Sequence, residues 1–131
     1  MITTDEGDIV DLSSIRAAPG LWYLGSPYTR YPGGLEEAFL GATRAAAWLA
    51  DNGVVAFSPI VHSHVLAQVG ELDPLDHALW MALDEPLMDA AHGLIVVMMC
   101  GWEESYGVGE ELRHFRAAGK PIRFLQPVGE P

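Results

Sequence analysis

The chain has 131 residues, half of them apolar and 19% charged, with 18 acidic residues against 7 basic ones and a formal net charge of -11. That length suits one domain burying roughly two thirds of its unfolded surface, and the acidic excess argues against long nucleic acids, whose phosphates call for a basic stripe. Cys100 is the single cysteine, which leaves no intramolecular disulfide or Cys-rich zinc cage and suits the cytoplasm, and no apolar run approaches the roughly 20 residues of a membrane helix.

Residues 1–20 read as a polar leader without a basic n-region, closed by the turn signal Pro19-Gly20, and residues 21–131 as one domain. Leu21 to Ser26 is a short apolar run ended by Gly, Ser and Pro, a buried strand followed by a loop through Gly34. Residues 35–51 are rich in Ala, Leu and Glu, with apolar positions at Ala38, Ala42, Ala45 and Leu49. They form a first crossover helix that stops at Asn52-Gly53. Val54 to Phe57 is a second strand, stopped by Ser58-Pro59. Residues 60–70 make a short helix or an ordered loop holding His62 and His64.

Asp73-Pro74 opens a further helix that reaches about Leu83, and Pro86 interrupts it, which leaves Asp84 at an element boundary. Leu94 to Met99 is a continuous apolar run fitting the centre of a parallel sheet covered on both faces. Residues 101–109 read as a loop, 110–118 as a helix ended by Gly119, and 121–125 as a last strand. Strands alternating with helices predict an α/β fold, a doubly wound, mostly parallel sheet of Rossmann or flavodoxin type with helices on both faces. Ligands are expected beyond the carboxyl ends of its strands.

Three segments follow strands on that face: residues 26–34, 58–64 and 100–111. The third places Ser105, Gly107 and Gly109 at a helix start, where free backbone N–H groups and the helix dipole favour an anion such as a phosphate. The same logic puts Glu111 in a first turn that keeps it ionised, the state a glycosidic nucleophile needs. By residue chemistry alone, an N-capped helix whose acidic start complements the dipole is the simpler account. His62 and His64, with His77 and His92 elsewhere, lack the Cys or acidic triad that would make a metal site, so no metal is expected. Met98, Met99 and Trp102 read as core and pocket lining, and Trp48, Leu49 and Trp80 as material for a helical dimer face.

The pattern Ser-x-Gly-x-Gly-x-Glu-Leu from Ser105 to Leu112 after an apolar strand resembles the signature of the nucleoside 2-deoxyribosyltransferase and 2'-deoxynucleoside 5'-phosphate N-hydrolase superfamily. Asp84, followed by an Ala-x-Gly turn into Leu94-Ile95-Val96-Val97, is similar to the segment carrying that superfamily's second catalytic carboxylate. Tyr23-Leu24-Gly25-Ser26 resembles its first strand. The Ser-Pro-Tyr start of the following loop and Ser58-Pro59-Ile60-Val61-His62-Ser63-His64 look closest to its DUF1937-like branch.

The resemblance implies that Glu111 attacks the anomeric carbon, that Asp84 donates a proton or binds a sugar hydroxyl, and that Tyr23 positions the nucleophile. It implies a substrate lining of Ser26, Tyr28, Arg30, Gly34, His62, His64, Ser105, Gly107 and Gly109, with no cofactor. The implied activity is hydrolysis of the base–sugar bond of a nucleoside or nucleoside 5'-monophosphate, the alternatives being base exchange and nucleotide sensing without catalysis. A homodimer or higher homo-oligomer is implied too. Within the first loop Arg30 is the one basic residue, and His92 stands where the superfamily usually has an aspartate.

Overall fold

The apolar runs at the centre of the sequence become the centre of a sheet. The computed structural model describes residues 1–129. In chain order it contains β1 (Ile2–Thr3), β2 (Ile9–Val10), α1 (Leu12–Arg16), β3 (Trp22–Gly25), α2 (Leu35–Asp51), β4 (Ala56–Phe57), α3 (Pro59–Gly70), α4 (His77–Ala90), β5 (Gly93–Val97), α5 (Tyr106–Ala117) and β6 (Ile122–Leu125). The strands form one sheet in the order β2-β1-β6-β5-β3-β4. Four of them, β6, β5, β3 and β4, run parallel, with Tyr23 beside Leu94 and Phe57, while β1 lies antiparallel to both β6 and β2. This is an α/β fold of the doubly wound class. Its parallel strands, counted along the chain, lie in the order 2-1-3-4, and the order reverses between β3 and β5, where such sheets open a ligand crevice.

Alternation along the two central strands sorts their side chains between the two faces. Trp22, Leu24, Ile95 and Val97 pack with Ala45, Leu49 and Met99 in one core. Tyr23, Leu94 and Val96 pack with Met88, Val108 and Phe115 in the other. Tyr23 therefore lies on the side of α4 and α5. Leu49 is fully buried, so it belongs to the first core and not to a dimer face, and half-buried Trp48 packs against the same cluster. Met99 is core as well, while Met98 and Trp102 pack against the second cluster.

Several expectations give way to tertiary context. The stretch expected as a polar leader supplies two strands: Ile2 pairs with Leu125, Ile2 and Ile15 are buried, and Trp22 Nε1 donates to the Ile15 carbonyl at 3.0 Å. Two-residue strands carry no readable periodicity, and β1 is seated on the rest of the sheet by β6, at the far end of the sequence. Residues 59–70 are a helix, capped by Ser58, whose side chain accepts from Val61 N at 3.2 Å, with Pro59 at its first position.

Helix α4 continues through Pro86, and Asp84 sits inside it rather than at a boundary. Proline removes one backbone donor from a helix interior, at a cost of about 3 kcal/mol. Trp80 and Met88, on either side of it, are buried, and burying such side chains is worth about 1.5–3 kcal/mol each, enough to hold the helix together. Helix α5 begins at Tyr106. Gly107 and Gly109 are thus helical residues, not loop residues.

Candidate active site

The crevice beside the strand reversal collects side chains from three elements. Tyr23 comes from β3, Asp84 from the middle of α4 and Glu111 from the second turn of α5. A helix repeats every 3.6 residues, so His77, Trp80, Met81 and Asp84 share one face of α4, and all four line a cleft of about 690 Å³. Ser26, Tyr28 and Thr29 from the loop after β3, Ile60 and Ser63 from α3, and Ser105, Tyr106, Gly107 and Glu111 complete its wall.

Glu111 is 7% exposed and Tyr23 is fully buried. Burial pushes the Glu111 carboxyl up to about 8, and the Asp84 charge adds to the rise. Burial likewise raises Asp84 to about 6, with the Tyr23 hydroxyl and the His62 charge partly opposing it. Two interacting carboxyls in a dry site share protons, so the pair holds about one proton at neutral pH. Tyr23, beside both, is raised as well, first by burial and then by Glu111 and Asp84, and stays a neutral hydroxyl. Tyr23 Oη, Ser26 Oγ and Glu111 Oε1 are buried polar atoms with no hydrogen-bond partner among the described residues. Unpaired buried polar groups are costly; Ser26 and Glu111 line the cleft, where a polar ligand can meet them, while Tyr23 lies behind the lining against the two carboxyls.

The expectation that a first-turn position keeps Glu111 ionised is corrected here. Helix α5 starts at Tyr106, so Glu111 lies beyond the first turn, where the helix-dipole effect has faded, and desolvation governs it. The expected anion cradle shrinks for the same reason. Gly109 N donates to the Ser105 carbonyl at 3.0 Å within the helix, and Ser105 Oγ accepts from Val108 N at 3.3 Å as the cap. Ser105 and Gly107 remain on the cleft wall, and Gly109 does not line it.

Other expected residues stand further out. Arg30 is exposed and absent from the cleft lining. Gly34 is exposed at the N-cap of α2, with φ 93°, a left-handed value that favours glycine. His62 is exposed, its ring 5.9 Å from that of Phe57. His64 is buried at 4% exposure behind Tyr28, bonded to it and to Glu36. Trp80, expected on a dimer face, lines the cleft and donates Nε1 to the Asp73 carbonyl at 3.0 Å. Among the described residues no three His, Cys, Asp or Glu side chains cluster as a metal site, and no helix is long and apolar enough to cross a membrane.

With this geometry established, a family model described as a domain of unknown function, DUF1937, matches residues 20–126. The chain belongs to the DUF1937 family. No curated protein matches it. The DUF1937 match opens just before β3 and closes just after β6, so it includes every residue lining the cleft and excludes the antiparallel edge strands β1 and β2.

In this DUF1937 chain the cleft also takes in His77, Met81, Thr29, Ser63 and Tyr106, with Glu36 behind it, places that no sequence signal above assigns to them. The i, i+3, i+4, i+7 spacing from His77 to Asp84 is the sequence signal of this shared face, and it extends to Asp84 because α4 runs through Pro86. Gly25 belongs to the site as well. A Cβ there would meet Glu111 Oε1 at 2.5 Å, so glycine at the end of β3 makes the space in which the Glu111 carboxyl lies.

Proposed function

We propose that the cleft cleaves the N-glycosidic bond of a nucleoside by a two-step, retaining route. The observation that carries this reading is the pairing of the Asp84 and Glu111 carboxyls on the cleft wall, with Tyr23 buried behind them and unsatisfied polar atoms at Ser26 and Glu111. A carboxyl pair sharing about one proton supplies a nucleophile and an acid together. In the reactive form the proton sits on Asp84. Glu111 then attacks the anomeric carbon as the C–N bond breaks, its electron pair leaving on the base nitrogen, which takes the Asp84 proton. Asp84, now a carboxylate, accepts a proton from the water that opens the glycosyl–Glu111 ester. The hydroxyl of Tyr23 serves whichever carboxyl is charged. Glu111, the more buried member, has the stronger hold on the proton, so ligand binding must move it to Asp84.

The lining also narrows the substrate. Among the described residues no Lys or Arg lines the cleft, two acids do, and the loop cation Arg30 is outside it. A dianionic 5'-phosphate would meet only the α5 N-terminus and hydroxyls, whereas phosphate sites commonly add a guanidinium or ammonium. A free nucleoside is therefore favoured over its monophosphate. The resemblance noted from the sequence also carries a homodimer or higher oligomer.

The test is incubation with ribo- and deoxyribonucleosides and their 5'-monophosphates, with chromatography of released base and mass spectrometry of the quenched protein. Base release from nucleosides and a glycosyl adduct on the Glu111 peptide support the proposal. An adduct on Asp84 would reverse the two roles, and tight binding with no base release would make the protein a nucleoside-binding module. Addition of a second free base separates hydrolysis from base exchange.

A further inference from the structure

The cleft wall at Tyr28 is backed by a chain of side chains that the bond-cleaving pair does not use. Tyr28 Oη lies 2.6 Å from His64 Nδ1, and His64 Nε2 lies 3.0 Å from Glu36 Oε2. The imidazole is held in plane: it stacks on Phe39 with ring centroids 4.3 Å apart at 18°, and meets the Tyr28 ring edge-on at 89°. His64 is 4% exposed, whereas the Glu36 side chain is 61% exposed and also receives Gln68 Nε2 at 3.5 Å. Tyr28 lines both the cleft and an outer groove formed with Glu36, His64 and Gln68.

The carboxylate on one side of the ring and the short hydroxyl contact on the other point to one arrangement of the hydrogens. N–H donors rarely approach oxygen closer than about 2.7 Å, while O–H donors do so routinely. The 2.6 Å contact fits Tyr28 O–H donating to a bare Nδ1, and the 3.0 Å contact fits an ordinary N–H bond from Nε2 to the carboxylate, which only accepts. With its one proton committed to His64, the Tyr28 oxygen has only lone pairs left to offer the cleft.

We propose that Tyr28 is a specificity-determining residue, locked by the Glu36–His64 chain as a hydrogen-bond acceptor that selects a ligand presenting an O–H or N–H donor at that wall. The assignment of the hydrogens is independent of catalysis, and the choice of probes rests on the nucleoside reading. A carbonyl or phosphate oxygen at that point would face lone pairs and be rejected, a selection distinct from the work of Asp84 and Glu111.

Two measurements on the whole chain test it. Long-range proton–nitrogen NMR at pH 7 should show His64 with Nε2 protonated and Nδ1 bare; the opposite tautomer, or an imidazolium, overturns the proposal. Glu36→Ala should mix the two tautomers, and an unchanged ring would remove Glu36 from the chain. Calorimetric binding then compares 2'-deoxyadenosine with analogues lacking the 3'-hydroxyl, the 5'-hydroxyl or the 6-amino group. The wild type should lose about 5- to 100-fold in affinity for one analogue, the size of an unmet buried hydrogen bond, and Tyr28→Phe should abolish that one preference. A wild type indifferent to all three deletions, or a Tyr28→Phe protein that keeps the preference, refutes the selection. If no probe binds the wild type, the nucleoside reading fails, while the His64 tautomer still decides whether Tyr28 is an acceptor.

Discussion

Gly25→Ala places one methyl group where the Glu111 carboxyl lies. The added Cβ would stand 2.5 Å from Glu111 Oε1, 3.3 Å from its Cδ and 3.4 Å from Leu94 Cδ1. Non-bonded heavy atoms settle at about 3.5–4.0 Å, so the carboxyl must retreat by about 1 Å. It has somewhere to go, because Glu111 lines the open cleft, and the protein should still fold. Overpacking of this kind costs about 1–3 kcal/mol, a fall of about 3–10 °C in melting temperature for a chain of this size. A 1 Å misplacement of a reacting group costs about 100-fold in rate. The assay is base release as kcat/KM together with thermal unfolding, with Gly109→Ala as the control, since a Cβ there meets nothing within 4 Å. A Gly25→Ala protein with kcat/KM within about threefold of wild type and an unchanged melting temperature would refute the placement of Glu111 against β3.

Burial raises Glu111 from 4.5 to about 8 and Asp84 from 3.8 to about 6, so the folded chain holds more protons than the unfolded one across that window. Their contribution to stability is therefore largest in acid and declines as pH rises toward 8, by at most about 1.4 kcal/mol per pH unit per proton. Glu111→Gln removes this titration: its melting temperature should fall less than that of wild type between pH 5 and 8 and exceed it at pH 8, and parallel curves would contradict the assignment. The same variant should release no base while keeping the native circular dichroism spectrum. Gly109→Ala should raise stability by about 0.5–1 kcal/mol through helix propensity and leave base release intact, because the Gly109 amide is already bonded within α5; loss of activity would return that amide to the ligand. Pro86→Ala restores a backbone donor inside α4 and should raise the urea midpoint; a lower midpoint would show that the proline fits a local bend.

How much of the site was legible varied from residue to residue. The runs at Trp22–Gly25 and Gly93–Val97 carry apolar side chains at every buried position, which announces central parallel strands in any context. Ser26, Tyr28, Ser105 and Gly107 stood out because turn and cap residues after such strands fall at the ligand-binding edge, and all four line the cleft. The length of α4 and the strand character of Ile2 were hidden, since each depends on partners distant in the chain, and the two-residue strand at Ile9 is too short to show a period. Composition, periodicity and capping are local properties, and by themselves they determined the layered α/β class, the central strands and the edge of the sheet where chemistry gathers. Whether Glu111 is buried and protonated, which face of the sheet Tyr23 takes, why residue 25 is glycine and how His64 backs Tyr28 were decided only by tertiary structure, because desolvation and close contact exist only once separate segments of chain are packed together.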